Sequence, residues 1–367
     1  MHLKVELPDS APQAVVNRDV LGHALHTHGE RRHPGSIEYN FGAKIVGVDF
    51  EGRVARFETE CGVEERGYDL LVGADGCWSR VRREMEAAGF LTCRQERQGG
   101  SNRVFEVDDL PGAREDWARC THLWIQNLPQ MGMMAQPTPR GRLRLIVGTV
   151  RDHLFADPGD DDADRFAAVE AGMRASFPDL FDGRDLPPGL AARLAGQEPI
   201  HRGVSTACSA FHGGDAAVLV GDAAHSMWPN AGEGCNAALE GAAELAGAIE
   251  AHGGDLAAAL PAYSAAWKPQ AEAAIAMSGR NPMRPLQVGP WGPAGALFAD
   301  DRGLLLVFAG WRAISGSALG RNWTPPGKVT IFFCDSGLFL FATVPGTVVF
   351  ATVAQLFFFA SVAMTNV

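Results

Sequence analysis

The sequence predicts an α/β fold in which an antiparallel β-sheet layer interrupts an α/β layer, with helices on the C-terminal side. Two short apolar runs, at 68–72 and 216–220, each lead into a loop containing glycine and aspartate, which is typical of buried strands. Between them, residues 100–150 contain the β-like segments RVFEV, HLWIQ, MGMMAQP and RLRLIVGTV. Alanine-rich helices are predicted at 234–252 and 257–279. This mixture indicates an inserted sheet layer within an α/β layer.

The remaining elements follow from local patterns. An apolar stripe of helical spacing predicts a helix at 13–28, and alternating residues predict a hairpin at 36–60. The segment after the first Gly-Ala-Asp-Gly loop predicts a helix at 79–88. Two further helices are predicted at 165–178 and 188–196.

Composition and charge exclude several classes of protein. The chain has 367 residues and a formal net charge of −11, without a basic stripe, which argues against a nucleic-acid binder. Its seven cysteines are scattered and never spaced as CxxC, so neither a zinc site nor a disulfide framework is expected, and no metal ligands are assigned. A reducing, intracellular location follows from the same cysteine pattern.

The C-terminal segment differs in character from the rest of the chain. Residues 336–367 contain no charged residue and are strongly apolar, and the run is long enough to cross a bilayer as a helix. The best helix within it would extend over 347–363. Arg321 and Lys328 precede this run, as expected of a cytoplasmic flank. Two interpretations stay open, a membrane anchor and a non-native tail from a mistaken gene model. A buried core helix is third, because the pattern gives it no polar face.

The stretch VLVGDAAHSMWPNAGEGCNAALEG, residues 218–241, has the composition of a ligand-binding loop. Ligands of open α/β sheets lie at the carboxyl ends of strands, where Asp222 would present a carboxylate to sugar or ribityl hydroxyls. Glycines let a flat ligand approach the backbone, and a helix that begins near Asn236 would favour negative charge at its N-terminus. Residues 232–237 also fit G-x-G-x-x-A, but weakly, because the preceding strand ends a loop earlier.

Two motifs in this order resemble those of flavin-dependent aromatic hydroxylases with the fold of p-hydroxybenzoate hydroxylase. GDAAHSMWPNAGEGCNAALE resembles the family's GD motif, and YDLLVGADGCWSRVRR, residues 68–83, resembles its DG motif. A third match, NRDVLGHAL at 17–25, is similar to the family's helix whose arginine meets the FAD phosphates. The resemblance implies FAD and NADPH as cofactors, O2 as oxidant, a small aromatic substrate and no catalytic side chain.

The same resemblance implies a set of cofactor-binding residues. Residues of the phosphate region would be Arg18, Asp75 and Gly76. Residues around the isoalloxazine and ribityl parts would be Asp222, Pro229, Gly232, Gly234 and Asn236.

Within the family, the chain is most similar to the kynurenine monooxygenase type. The segments CSAFHGGDAAVLVGDAAH (208–225), THLWIQNLPQMGMMAQP (121–137) and YSAAWKPQAEAAIAMS (263–278) carry this likeness. The expected reaction is hydroxylation of an aromatic ring, with kynurenine as a candidate substrate. The alternatives are a related FAD oxidoreductase, such as an epoxidase or a reductase, and a non-catalytic or truncated flavoprotein remnant.

The chain also departs from the family pattern. The N-terminal βαβ unit with GxGxxG is absent from the sequence, and Gly241 stands where the GD motif usually has an acidic residue. The expected organisation is a partial FAD-binding domain at 1–98, a β-rich substrate layer at 99–200, a return to the FAD-binding layer at 201–255, a helical region at 256–327 and a hydrophobic tail at 328–367.

Overall fold

A computed structural model describes the fold of this protein. It describes residues 2–5, 18–108, 121–124, 131–138, 142–149, 162–181, 185–187, 189–197, 200–201, 203–229, 232–279, 328–334 and 337–343.

The helices of the described chain are α1 (Arg18–Arg32), α2 (Arg80–Ala87), α3 (Asp162–Ser176), α4 (Pro178–Phe181), α5 (Leu190–Gly196), α6 (Asp222–His225), α7 (Gly234–Ala251) and α8 (Leu256–Gly279). The strands are β1 (His2–Val5), β2 (Ile37–Asn40), β3 (Lys44–Asp49), β4 (Val54–Thr59), β5 (Gly62–Gly67), β6 (Leu70–Ala74), β7 (Cys93–Arg97), β8 (Ser101–Val107), β9 (Thr121–Trp124), β10 (Met131–Pro137), β11 (Leu143–Thr149), β12 (Ile200–His201), β13 (Val204–Cys208), β14 (His212–Gly213), β15 (Ala217–Leu219), β16 (Lys328–Cys334) and β17 (Gly337–Thr343).

The chain divides into two compact units. The first unit comprises Met1–Val16 and Arg97–Arg202, and the second comprises Asn17–Glu96 and Gly203–Val367.

The first unit contains an antiparallel sheet with the strand order β1-β9-β10-β11-β8-β12. Strand β8 alternates strictly between buried and half-buried residues, as expected of a strand with one face on a core. Its core combines inward side chains of the sheet with apolar residues of α3, α4 and α5. This unit confirms the predicted antiparallel layer, and α3 and α5 lie close to the predicted helices.

The second unit contains a mixed sheet with the strand order β14-β15-β6-β17-β16-β2. All five residues of β6 are buried, and so are all three of β15, which explains why both read as uninterrupted apolar runs. Strands β3, β4 and β5 form a separate antiparallel sheet, and β7 pairs with β13. The apolar core of this unit extends from these strands to α2, α7 and α8.

Helix α1 ends later than predicted. The predicted helix at 13–28 stopped before Gly29, whereas the amide of His33 donates a hydrogen bond to the Gly29 carbonyl, 2.9 Å away. A single glycine weakens a helix by only about 1 kcal/mol, and Pro34 is the stronger stop, since proline disfavours helical backbone in the residue before it. Helices α2, α7 and α8 agree with the predicted segments.

Part of the apolar C-terminal segment is described as strands β16 and β17, with β17 antiparallel to β6. The helix predicted at 347–363 lies outside the described residues. Within the portion of the chain that is described, no helix has the length and apolar character needed to cross a bilayer.

Candidate functional site

The two motifs lie on neighbouring parallel strands of the second unit. Strand β6 carries the DG motif and β15 the GD motif, with Leu219 in register with Gly73. The pairing continues for one residue past β15, because the amide of Val220 donates to the Gly73 carbonyl at 3.0 Å. Since the carboxyl ends of parallel strands meet at one sheet edge, the turns after Ala74 and after Val220 leave the sheet side by side.

The carboxylate of Asp75 organises the turn of the DG motif. It accepts hydrogen bonds from the Ser79 hydroxyl at 2.5 Å, the Arg80 amide at 2.5 Å and the Val81 amide at 3.1 Å. Burial raises the pKa of Asp75, and these hydrogen bonds oppose that rise. Gly76 follows in the left-handed region, with φ of 73°, which a residue with a side chain adopts only at a cost. Asp75 thus holds the backbone between β6 and α2 in place.

Arg82 connects the two motifs. Its side chain is buried, and its guanidinium donates to the carbonyl of Ala223 in α6 and to the carbonyl of Cys77 in the DG turn, both at 2.7 Å. Its amide also donates to the Ser79 hydroxyl, which caps α2. Sequence reasoning matched Arg82 to the motif but assigned it no role, because its acceptor in α6 lies 141 residues away.

Asp222 is the first residue of α6 and is half-buried. Gly221 precedes it with φ of 55°, and a Cβ at Gly221 would lie 3.2 Å from the Cβ of Ala238, so α7 passes close to this turn. The pKa of the Cys77 thiol is raised to about 11, first by burial and then by the negative charge of Asp222. The start of α6 lies near the DG turn, because the Arg82 guanidinium contacts both the Ala223 carbonyl and the Cys77 carbonyl.

His225 fixes the other end of α6. Its Nε2 accepts a hydrogen bond from the Trp267 indole Nε1–H at 3.0 Å, and burial lowers its pKa to about 4. The indole occupies space next to Gly241, where an added Cβ would lie only 2.5 Å from Nε1 of Trp267. A larger residue at position 241 would clash with the Trp267 indole. Packing therefore explains why this chain has glycine where the GD motif usually has an acidic residue. His225 is thus buried and held by Trp267, which indicates a role in packing.

The remaining predicted residues lie along the approach to α7. Pro229 is exposed, residues 230–231 lie outside the described residues, and Gly232 has φ of 72°. Gly234 is the first residue of α7, and the Asn236 side-chain amide donates to Glu233 Oε2 at 3.3 Å. Sequence reasoning did not single out Glu233. Its Oε1 is buried and lacks a hydrogen-bond partner among the residues that the structure describes.

Arg18 is the first residue of α1, and its side chain lies outside the described residues. Its predicted role at the phosphates stays a prediction.

Comparison with known proteins decides the family. Residues 6–278 match the family described as FAD binding domain. The chain belongs to this family. A kynurenine 3-monooxygenase from Salinispora arenicola is 29% identical over 254 residues, which cover 68% of this chain and 53% of that protein. A kynurenine 3-monooxygenase from Xanthomonas oryzae pv. oryzae is 30% identical over 256 residues, covering 66% and 52%.

The chain thus spans about half the length of these curated relatives. A solved structure of 2-methyl-3-hydroxypyridine-5-carboxylic acid oxygenase is similar at 23% identity and a TM-score of 0.46, over 68% of this chain and 62% of that one.

The residues of this FAD-binding domain fit the chemistry of the cofactor. Hydroxyl and ring N–H groups need acceptors, and two carboxylates here provide oxygens of that kind. They are Asp222 and Glu233, whose Oε1 has no hydrogen-bond partner within the described part of the chain. The N-terminus of α7, an 18-residue helix, favours negative charge where it begins at Gly234. Two turns with left-handed glycines leave backbone surface that a planar group can approach.

Proposed function

We propose that this chain is the FAD-binding part of a monooxygenase that hydroxylates a small aromatic substrate, with NADPH as reductant, O2 as oxidant and kynurenine as the first substrate to test. The proposal rests mainly on one observation. The DG and GD turns leave one sheet edge on adjacent parallel strands, and Arg82 ties them together. Family membership and the kynurenine 3-monooxygenase relatives support the choice of cofactor and substrate class.

Each residue has a defined part in this proposal. Asp222 accepts hydrogen bonds from ribityl hydroxyls, and Gly232, Gly234 and Asn236 bring the start of α7 against the flavin ring. Pro229 shapes the loop between them. Bound FAD would supply the redox chemistry that activates O2, and the chain supplies position, exclusion of water and a positive helix end.

On the phosphate side, Arg18 is proposed to contact the pyrophosphate. Asp75 and Gly76 are proposed to contribute through the conformation of their turn, because every hydrogen bond described for the Asp75 carboxylate goes to Ser79 or to the first amides of α2.

The first test measures FAD affinity. Asp222→Asn should weaken FAD binding roughly 10- to 100-fold, because a charge-assisted hydrogen bond contributes about 1.5–3 kcal/mol. Asp215→Asn is the matched control, because Asp215 precedes the same strand β15 at its opposite end and pairs only with exposed Arg53 in the contacts described. Flavin fluorescence quenching by the purified chain reports both dissociation constants. Failure of the wild-type chain to bind FAD refutes the proposal in favour of a remnant.

The second test separates substrate classes. With FAD bound, NADPH consumption is followed at 340 nm in the presence of kynurenine, and the product is identified by mass. Hydroxylated kynurenine supports the proposed substrate. Stimulated NADPH oxidation by other aromatic acids, without any response to kynurenine, would keep the monooxygenase assignment and replace the substrate.

A further inference from the structure

Strands β7 and β13 of the second unit pair in an antiparallel register. The amide of Ser209 donates to the Thr92 carbonyl at 2.9 Å, and the Thr92 amide donates to the Ser209 hydroxyl at 2.9 Å. Three residues further along β7, the Gln95 side chain donates to the Thr206 hydroxyl at 2.9 Å. From Thr92 to Gln95 the chain advances by three residues, while the partner position moves back by three, from Ser209 to Thr206. The two neighbouring strands are therefore antiparallel.

This register places Cys93 directly opposite Cys208. Opposed residues of antiparallel strands have Cα atoms about 4.5–5.5 Å apart, which lies within the span of about 4.4–6.8 Å that a disulfide bridges. Both cysteines are free thiols, and their side chains are close enough to share a hydrogen bond. Cys93 is half-buried and Cys208 is buried, so only the first is open to a reagent from solvent.

The two thiols are chemically unequal. The pKa of Cys93 is lowered to about 7, mainly because the Cys208 thiol donates a hydrogen bond to it. Burial and the nearby Glu86 carboxylate oppose that effect, and the positive charge of Arg82 adds to it. The pKa of Cys208 is raised, because it supplies that hydrogen bond and is buried. Cys93 is therefore the nucleophilic thiolate and Cys208 the protonated neighbour.

We propose that Cys93 and Cys208 form an oxidisable dithiol site that a peroxide converts into a cross-strand disulfide. The Cys93 thiolate attacks one oxygen of hydrogen peroxide, the O–O bond breaks, and the products are Cys93 sulfenic acid and hydroxide. The Cys208 sulfur then attacks the sulfenic sulfur, and its proton leaves with the departing hydroxide as water. In sum, the two thiols lose two electrons and two protons, and hydrogen peroxide is reduced to two water molecules.

The bond would join the segment that follows α2 to the segment that precedes β15. These segments flank the DG and GD motifs, which Arg82 also links. Oxidation would therefore cross-link two strands 115 residues apart in sequence that already lie together in the fold, at the side of the proposed FAD site.

The experiment treats the full chain, without added FAD, with hydrogen peroxide and blocks the remaining thiols with an alkylating reagent. Peptide mapping by mass spectrometry should show a Cys93–Cys208 cross-linked peptide that disappears on reduction with dithiothreitol. Its rate of formation should rise with pH through about 7, following the Cys93 thiolate. Omitting FAD keeps the result independent of whether the proposed function holds.

Three variants sharpen the test. Cys208→Ser should leave Cys93 as a sulfenic acid that dimedone labels, and Cys93→Ser should abolish both products. Cys61→Ser is the control, because Cys61 is exposed in the turn between β4 and β5. Absence of the cross-linked peptide from wild-type protein, or pairing of Cys93 with a cysteine of another molecule, would overturn the proposal. The peptide map of the wild-type protein requires no variant. It therefore decides the proposal even if one of the variants fails to fold.

Discussion

Replacement of Arg82 by methionine would test how far the two motifs depend on each other. The guanidinium of Arg82 donates to the Ala223 carbonyl in α6 and to the Cys77 carbonyl in the DG turn, and the side chain is only 2% exposed. Methionine has a similar length, but it cannot donate a hydrogen bond. The substitution therefore removes both hydrogen bonds while changing the packing little.

The expected cost follows from the two carbonyl groups left behind. A buried acceptor without a donor costs about 1–3 kcal/mol, which gives roughly 2–6 kcal/mol for the pair. Removing the guanidinium also removes the penalty for burying its charge, so we expect the lower part of that range, roughly 2–4 kcal/mol. The loss should be concentrated in α2 and α6, the elements that Arg82 joins.

Hydrogen exchange of the native protein is the suitable assay, because it reports the free energy of opening segment by segment and needs no two-state unfolding. Amides of α2 and α6 should exchange faster in Arg82→Met by a factor of about 30 or more. Arg83→Met is the matched control, since Arg83 lies on the same helix and is exposed, and we expect a change within about 0.5 kcal/mol. Equal protection of α2 and α6 in both variants would refute the assigned role of Arg82.

Two further predictions concern the anchoring of α6. Gly241→Ala should destabilise the protein by about 1–3 kcal/mol and shift the Trp267 fluorescence, because the new Cβ would lie 2.5 Å from the indole. Gly247→Ala is the control, since Gly247 is on the same helix with open space around it. In thermal unfolding this control should be neutral or stabilising. His225 has a pKa of about 4 when folded against about 6.5 when unfolded, so the unfolded chain binds more protons between these values. Stability should fall by up to ~3 kcal/mol as pH drops from 6.5 to 4 and stay level above 6.5. Urea titrations across this pH range measure the free energy of unfolding. In His225→Gln its dependence on pH should be flatter. An unchanged slope in that variant would mean that other groups cause the pH dependence.

Local features of the site could be predicted from the sequence. The apolar runs before the DG and GD turns specify strands β6 and β15, because strands buried on both faces are continuously apolar. Ser79 was predicted to begin the helix after the DG turn, and it caps α2 in the structure. The resemblance also assigned both motifs to one cofactor, although it did not specify that β6 and β15 are adjacent.

Contacts between distant segments could not be predicted in the same way. The hydrogen bond between His225 and Trp267 depends on how α6 and α8 pack, and the space for the indole depends on Gly241 in a third helix. The opposition of Cys93 and Cys208 depends on the register of β7 and β13, which neither strand's own sequence specifies. The sequence around Gly241 or around either cysteine does not indicate which distant residue packs against it.

The pairing of β6 with β15 has a consequence for synthesis of the chain. About 150 residues separate Gly73 from its partner Leu219, and those residues include most of the first unit. At roughly 5–20 residues per second, a ribosome that has completed β6 needs on the order of 10–30 s before β15 emerges. During that interval β6 lacks both of its eventual neighbours, β15 and β17. Newly made protein should therefore depend on chaperones or low temperature far more than the finished molecule does.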